Sequence, residues 1–211
     1  LEASGLTAPM GGNMGLSAAE LACQIGSGAK PRPDWLVMEL SSYQIEAAPA
    51  VAPKIGIWTT LTPDHLERHG SLEAYRAIKR GLLERSECAL FNADDPDLRQ
   101  QRSSWNRGTW VSSEGAHPDN QPADLWIDDE GMVRNTTTRL FAADALAMPG
   151  CHNRQNLLLV TAAALEVGLS PQQIADALRT FPGVPHRLEQ LGTLAGASVF
   201  NDSKATNYDA A

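Results

Sequence analysis

TTLTPDHLERHGSLEAYRAIK, residues 59–79, carries the chain from the end of an apolar run, through a knot of ionisable side chains, into a helix. The run before it, Lys54 to Thr60 (KIGIWTT), is short, β-branched and aromatic and follows a Pro, so it reads as a buried strand rather than a helix. Asp64, His65, Glu67, Arg68 and His69 then fall just past the strand's carboxyl end, which is where open α/β sheets bind ligands. Ser71 is placed to cap the next helix. Leu72, Tyr75, Ile78 and Leu82 recur at helical spacing as its buried stripe. Lys79 falls at the edge of that stripe, one turn after Tyr75, so its side chain can turn back toward the strand end.

The same alternation extends in both directions. Leu16 to Ile25 has a helical apolar pattern, and Trp35 to Leu40 (WLVMEL) is a nearly all-apolar strand containing Glu39. After the Lys79 helix, Cys88 to Asn92 reads as a strand, with Asp95, Pro96 and Asp97 opening a short helix. Repeated strand and helix predicts an α/β fold with a mostly parallel sheet flanked by helices. From Ser103 to Met148 the character changes: tryptophans are scattered among Gly, Ser, Asp and Pro, and LWIDDEGMVRN reads as a hairpin around Asp129 to Gly131, so a small antiparallel β flank is expected. His152 to Val167 returns to helix. Ser170-Pro171-Gln172-Gln173 starts another with a capping pattern. Phe181 to Pro185 is a turn-rich linker, and Ser198 to Asn201 reads as a new strand. LEASGL at residues 1–6 resembles the last turn of a helix with its Gly stop, and both ends read as cuts through a longer chain.

The chain has 211 residues and a formal net charge of −8, without a Lys/Arg cluster. That charge excludes the electrostatic footprint of nucleic-acid binding and disfavours an anionic membrane. Cys23, Cys88 and Cys151 are odd in number and far apart, which argues against a disulfide framework and fits a reducing cytoplasm. No apolar run approaches membrane-span length. A monomer is expected.

Four polar clusters carry possible chemistry. Glu39 with Ser41, Ser42 and Gln44 offers a carboxylate, hydroxyls and an amide for a metal and a polar ligand, or is simply a capped turn. Asp64, His65, Glu67 and His69 include an H-x-x-x-H pair, but no third zinc ligand is obvious. Asn153 and Asn156, after His152, share a helix face and can read a base edge, unless they only cap the helix. Asn201 to Asn207, NDSKATN, follows a strand and is otherwise a solvated loop.

Together, ELSSYQIE at 39–46, TPDHLERHGSLEAYRAIK at 62–79, PGCHNRQN at 149–156, PHRLE at 185–189 and NDSKATN at 201–207, with GGNMG at 11–15, resemble the Mur ligases. SSYQ and DSKATN are similar to the members that add D-glutamate. The resemblance implies a central ATP-binding domain over residues 1–187 and the beginning of a Rossmann-like C-terminal ligase domain over 188–211. It implies ATP-dependent amide synthesis: a substrate carboxylate takes the γ-phosphoryl group, and D-glutamate attacks the acyl phosphate. The acceptor is UDP-N-acetylmuramoyl-L-alanine, and the product serves peptidoglycan synthesis and so cell-wall growth, shape and division. Glu39 and His65 are the implied Mg2+ ligands, and Lys79 is the family lysine that carbon dioxide carbamylates. Asn13, Ser41 and Gln44 face the uridine nucleotide, and Asp64 lies close to the metal-binding His. Asn153 and Asn156 face adenine, Arg187 and Asp202 approach ATP, and Lys204 and Thr206 lie near the acyl phosphate and D-glutamate.

One departure matters. Lys30, Lys54, Lys79 and Lys204 are the only lysines, and none stands in G-x-x-x-x-G-K-[ST]. The phosphate loop is expected just upstream of Leu1, and these 211 residues by themselves are expected to have little or no activity. The rival readings are another ligase of the superfamily, such as folylpolyglutamate synthase, or a non-catalytic nucleotide-binding protein.

Overall fold

Most element boundaries fall where local signals put them. The computed structural model describes residues 1–204, and residues 205–211 lie outside the described residues. The chain divides into two compact units, residues 1–58 with 63–90, and residues 59–62 with residue 91 onward.

In the first unit, Glu2–Ser4 makes a 3-10 turn that stops at Gly5 in the left-handed region, the Gly stop expected from LEASGL. Strand β1 (Met10–Gly12) pairs in parallel with β2 (Val37–Glu39), Gly12 opposite Glu39. Only the middle of WLVMEL is therefore strand. Between them runs α1 (Ala18–Gly26), capped by the Ser17 hydroxyl, which accepts from the Glu20 N–H. Helix α2 (Ser42–Ala47), strand β3 (Ile55–Trp58), the single turn α3 (Leu66–His69) and α4 (Leu72–Arg85) follow. Ser71 caps α4 as expected. The buried face of α4 is shifted from the expected stripe: Tyr75 and Leu83 are buried, whereas Leu72, Ile78 and Leu82 are half-buried. The reason lies in β3, where a Cβ on Gly56 would run into Ser86 Oγ and crowd Leu83. The bare glycine lets the end of the helix press onto the strand through Leu83.

The unit division falls inside β4 (Cys88–Asn92). The second unit continues with α5 (Pro96–Gln101), β5 (Thr109–Ser112), β6 (Leu125–Ile127), β7 (Met132–Asn135), β8 (Arg139–Ala142), α6 (Cys151–Val167) and α7 (Pro171–Arg179). In this unit the sheet has the strand order β5-β6-β7-β8. It is mixed: β5 and β6 are parallel, and β6, β7 and β8 form an antiparallel meander. The hairpin expected at Asp129 to Gly131 joins β6 to β7, with Asp128 Oδ1 accepting from the Glu130 and Met132 N–H groups. The stretch from Ser103 is thus only partly antiparallel, because about a dozen residues separate β5 from β6, enough for a parallel return.

Two of the tryptophans that look scattered in sequence, the half-buried Trp105 and the buried Trp110, meet at Phe91. The Phe91 ring lies 4.5 Å from that of Trp105 and 4.6 Å from that of Trp110. Leu125, Val133, Leu157, Leu158 and Ile174 are also buried in this unit. The α7 capping box forms as read, Ser170 and Gln173 each bonding the other's backbone N–H. A separate two-stranded sheet pairs β9 (Glu189–Leu194) with β10 (Ala197–Asn201), turning at Ala195 and Gly196, both at positive φ. EQLGTL is too polar and glycine-containing to read as a strand, so β9 was not expected. Among the described residues no helix is long and apolar enough to cross a membrane.

Candidate functional site

Chemistry-bearing residues gather at one place in each unit. In the first, the β1–β2 pair brings GGNMG against the end of WLVMEL. Gly12 has φ 105°, and a Cβ there would run into the Glu39 carbonyl oxygen. The close approach lets the Asn13 N–H donate to that carbonyl at 2.8 Å and Asn13 Nδ2 donate to Glu39 Oε1 at 3.3 Å. Two separately predicted residues are thereby joined. Ser41 and Gln44 form a capping box on α2, so the capped-turn reading of SSYQ is observed; Gln44 Oε1 is engaged and its Nε2 remains the group to offer a ligand.

His65 enters α3 in the left-handed region (φ 52°, ψ 30°), with its N–H donating to Asp64 Oδ1 at 2.8 Å. Its imidazole lies 3.5 Å from Asp64 and 3.9 Å from Glu67. His69 is engaged elsewhere, its Nε2 lying 3.0 Å from Ser42 Oγ, so the H-x-x-x-H pair makes no zinc site. Tyr43 packs against both imidazoles, at 5.2 Å from His65 and 5.3 Å from His69. Lys79 turns back as expected, its Nζ 5.0 Å from the Tyr75 ring centroid. Burial pulls the Lys79 ammonium below its usual pKa range, against the opposing charges of Glu39 and Asp64. Burial, with the Asp64 charge, raises the Tyr75 phenol.

The donor set here is hard and anionic, with Glu39 and Asp64 both acting on a half-buried cation at Lys79. Among the described residues no group of three or more His, Cys, Asp or Glu is assembled to hold a metal. The carboxylates of Glu39 and Asp64 are hard oxygen donors of the kind that Mg2+ takes one or two at a time, with water completing its shell.

In the second unit a cavity of about 400 Å3 is lined by His152, Asn153, Asn156, Arg187 and Asp202, with apolar walls from Leu146, Met148, Leu157, Val160, Leu178, Phe181, Val184 and Leu188. Asn153, Asn156, Arg187 and Asp202, drawn from three separate motifs, are thus brought to one place. Helix capping does not account for Asn153, because Gly150 is the N-cap residue of α6 and makes no side-chain cap bond; Asn153 is buried and donates to the Pro149 carbonyl at 2.6 Å. The NDSKATN stretch is built into the structure up to its middle: Asp202 Oδ1 accepts from the Leu188 N–H at 3.1 Å, and the Lys204 N–H donates to the His186 carbonyl. The Lys204 side chain is exposed, and Thr206 lies outside the described residues.

Asn92 and Asp94, which the sequence pattern does not single out, and Asp95, which it reads only as opening a helix, are all buried. Asp95 accepts from Thr60 Oγ1 at 2.7 Å and the Leu61 N–H at 3.0 Å while capping α5 through the Leu98 N–H. Asn92 Nδ2 donates to the Thr59 carbonyl and to Gln155 Oε1. The segment that leads to Asp64 is therefore pinned by buried polar groups. Three polar side chains in NADD directly after an apolar strand were the available signal.

Residues 16–164 match the Mur ligase middle domain. The chain is 97% identical over its whole length to UDP-N-acetylmuramoylalanine--D-glutamate ligase of Synechococcus sp. (strain CC9605), covering 46% of that protein. It is 47% identical over its whole length to the ligase of the same name from Synechococcus elongatus (strain ATCC 33912 / PCC 7942 / FACHB-805), again covering 46%. It thus spans about half the length of the curated relatives it matches. Among solved structures, UDP-N-acetylmuramoyl-L-alanyl-D-glutamate--2, 6-diaminopimelate ligase superposes with a TM-score of 0.70 at 21% identity, over 90% of this chain and 44% of that one. MurF ligase from Thermotoga maritima, solved in complex with ADP, gives a TM-score of 0.58 at 18% identity over 90% of this chain and 46% of that one. By a match that covers most of its length, the chain belongs to the Mur ligase middle-domain family.

Proposed function

We propose that this chain supplies the nucleotide-binding and lysine-bearing part of an ATP-dependent ligase that joins D-glutamate to UDP-N-acetylmuramoyl-L-alanine in peptidoglycan synthesis. The observation that carries the reading is the convergence of Asn153, Asn156, Arg187 and Asp202 on one cavity, in a chain 97% identical to a relative of that name. At about 400 Å3, with apolar walls and few polar groups, the cavity has the size and lining of a small-molecule site. It suits the adenosine end of ATP: the walls take the flat faces of the base, and Asn153 and Asn156 meet its hydrogen-bonding edge. Arg187 and Asp202 meet the ribose and phosphates.

The reaction needs several anions in one place. The acceptor carboxylate attacks the γ-phosphorus of ATP and ADP leaves. The amine of D-glutamate then attacks the acyl carbon and phosphate leaves, with Lys204 and Thr206 next to these groups. Burial of Lys79 favours the neutral amine, which is the form that adds carbon dioxide and loses a proton to give a carbamate. The change puts an anion where a cation stood, so Lys79, Glu39 and His65, with Asp64 adjacent, become a donor set for Mg2+. When bound, Mg2+ neutralises phosphate oxygens and fixes their geometry. Asn13, Ser41 and Gln44 orient the uridine nucleotide, Asn13 from its bond to Glu39 and Gln44 through its Nε2. Residues 1–187 form the central ATP-binding domain and 188–211 begin the next, in keeping with the separate β9–β10 sheet. The setting is the cytoplasm and the acting species a monomer.

The test is ATP-dependent phosphate release by the intact protein with both substrates, wild type against Lys79→Ala. Turnover that requires both substrates, falls by at least 100-fold in the variant and partly returns with added acetate supports the reading. Turnover with a folate in place of the muramoyl acceptor would overturn it.

A further inference from the structure

We propose that Tyr43 is a positioning residue for His65: its ring holds the imidazole in the orientation from which it meets a divalent cation, an inference that rests on the reading of His65 as a metal ligand. The His65 side chain is 42% exposed, and its carboxylate neighbours at 3.5 and 3.9 Å are too distant to orient it by hydrogen bonding. Metal-binding imidazoles are ordinarily aimed by a hydrogen bond to the second ring nitrogen. Here the contact that fixes the ring plane is the edge-to-face packing on Tyr43, with centroids 5.2 Å apart and planes at 65°.

Tyr43 can act as a fixed stop because α2 and α3 are fastened on both sides of it. Ser42 Oγ meets His69 Nε2 at 3.0 Å, and Arg68 Nη2 donates to Glu46 Oε2 at 2.8 Å. The Arg68 guanidinium also lies 5.9 Å from the Tyr43 ring. The ring contacts run on from Tyr43 to His69, from His69 to Tyr75 at 5.5 Å, and from Tyr75 to Lys79 Nζ. His65 and Lys79 are therefore held against two ends of one aromatic line. Ser42 and Tyr43 are the residues of SSYQ that neither the capping box nor the substrate roles use, and Ser42 is engaged by His69.

Tyr43→Phe keeps the ring and Tyr43→Leu removes it; Tyr43→Met makes the same comparison if the Leu variant unfolds. Two readouts apply in the intact protein: Mn2+ affinity by electron paramagnetic resonance, and the NMR shift of the His65 ring proton, assigned with His65→Asn. The expected result is a Mn2+ Kd raised about 10-fold and a displaced His65 resonance in the ring-less variant, with Tyr43→Phe within about twofold of wild type. Wild-type Mn2+ affinity or an unmoved resonance in Tyr43→Leu, when His65→Asn does weaken Mn2+, overturns the proposal and leaves the metal reading standing. Equal losses in the Phe and Leu variants overturn it too, because the hydroxyl would then be the active group. Unchanged Mn2+ affinity in His65→Asn removes the metal reading and the proposal with it.

Discussion

At Asn153 a single side chain has two amide ends with different employment. Its Nδ2 is given to the Pro149 carbonyl, and under the proposed function Oδ1 is the atom that accepts from an adenine amino group. Asn153→Ala is expected to raise the KM for ATP about 5- to 20-fold, the cost of about one to two kcal/mol for a lost hydrogen bond, with a smaller effect on kcat. Steady-state kinetics at varied ATP checks it. His65 poses a different question, because its backbone sits where most residues are disfavoured and Asn is tolerated better than Ala. His65→Asn should keep more thermal stability than His65→Ala although both lose the imidazole, and the gap in Tm between them measures the backbone part. The Lys79 position was readable from spacing, since one turn after Tyr75 is a matter of helix geometry. The Asn13–Glu39 bond was not readable, because it depends on Gly12 allowing two strands far apart in sequence to come close.

Among the elements, the caps at Ser71, Asp95 and Ser170 were legible because they are local, each residue capping the helix that follows. Asp95 does more than cap, and that part required the fold. Ser170→Ala is expected to cost about 1 kcal/mol, an ordinary cap. Asp95→Ala is expected to cost about 2–4 kcal/mol, because it also removes an acceptor of the Thr60 hydroxyl and leaves the buried Leu61 N–H unmade. Urea unfolding of the two variants gives the comparison, and equal losses would mean that the Asp95 contacts to residues 60 and 61 carry no stability. Strands were harder. CALFN was legible from its apolar run, whereas EQLGTL forms β9 only because β10 pairs with it.

For the whole molecule, acid is the condition that tests its electrostatics. Backbone hydrogen bonds hold Asp34 and Asp128 below the usual carboxylate range, and Arg139 does the same for Glu130. Such groups contribute stability that is complete above their unfolded pKa and is lost as pH falls through the lower folded value. Stability should therefore decline on the acid side of the carboxylate range, and Asp128→Asn should flatten that decline. Lys79 acts with the other sign. Its folded pKa is depressed, so its burial penalty is full below that value and fades as pH rises toward the pKa of an unfolded lysine. Thermal melts across pH, on wild type and Asp128→Asn, test the acid limb. At this scale the α/β class and the hairpin of the β flank followed from periodicity and turn residues. The mixed pairing of the sheet did not, because strand direction depends on connection length and on which edge is open.

The packing of Trp105 and Trp110 against Phe91 also gives the protein an optical signature. Two of its five indoles lie against one buried benzene ring, so opening of that core moves their emission to longer wavelength. With Trp35 and Trp58 of the first unit replaced by Phe, the remaining emission reports the second unit without any label. Following it beside far-ultraviolet dichroism would show in one denaturant titration whether the two units melt together or in turn.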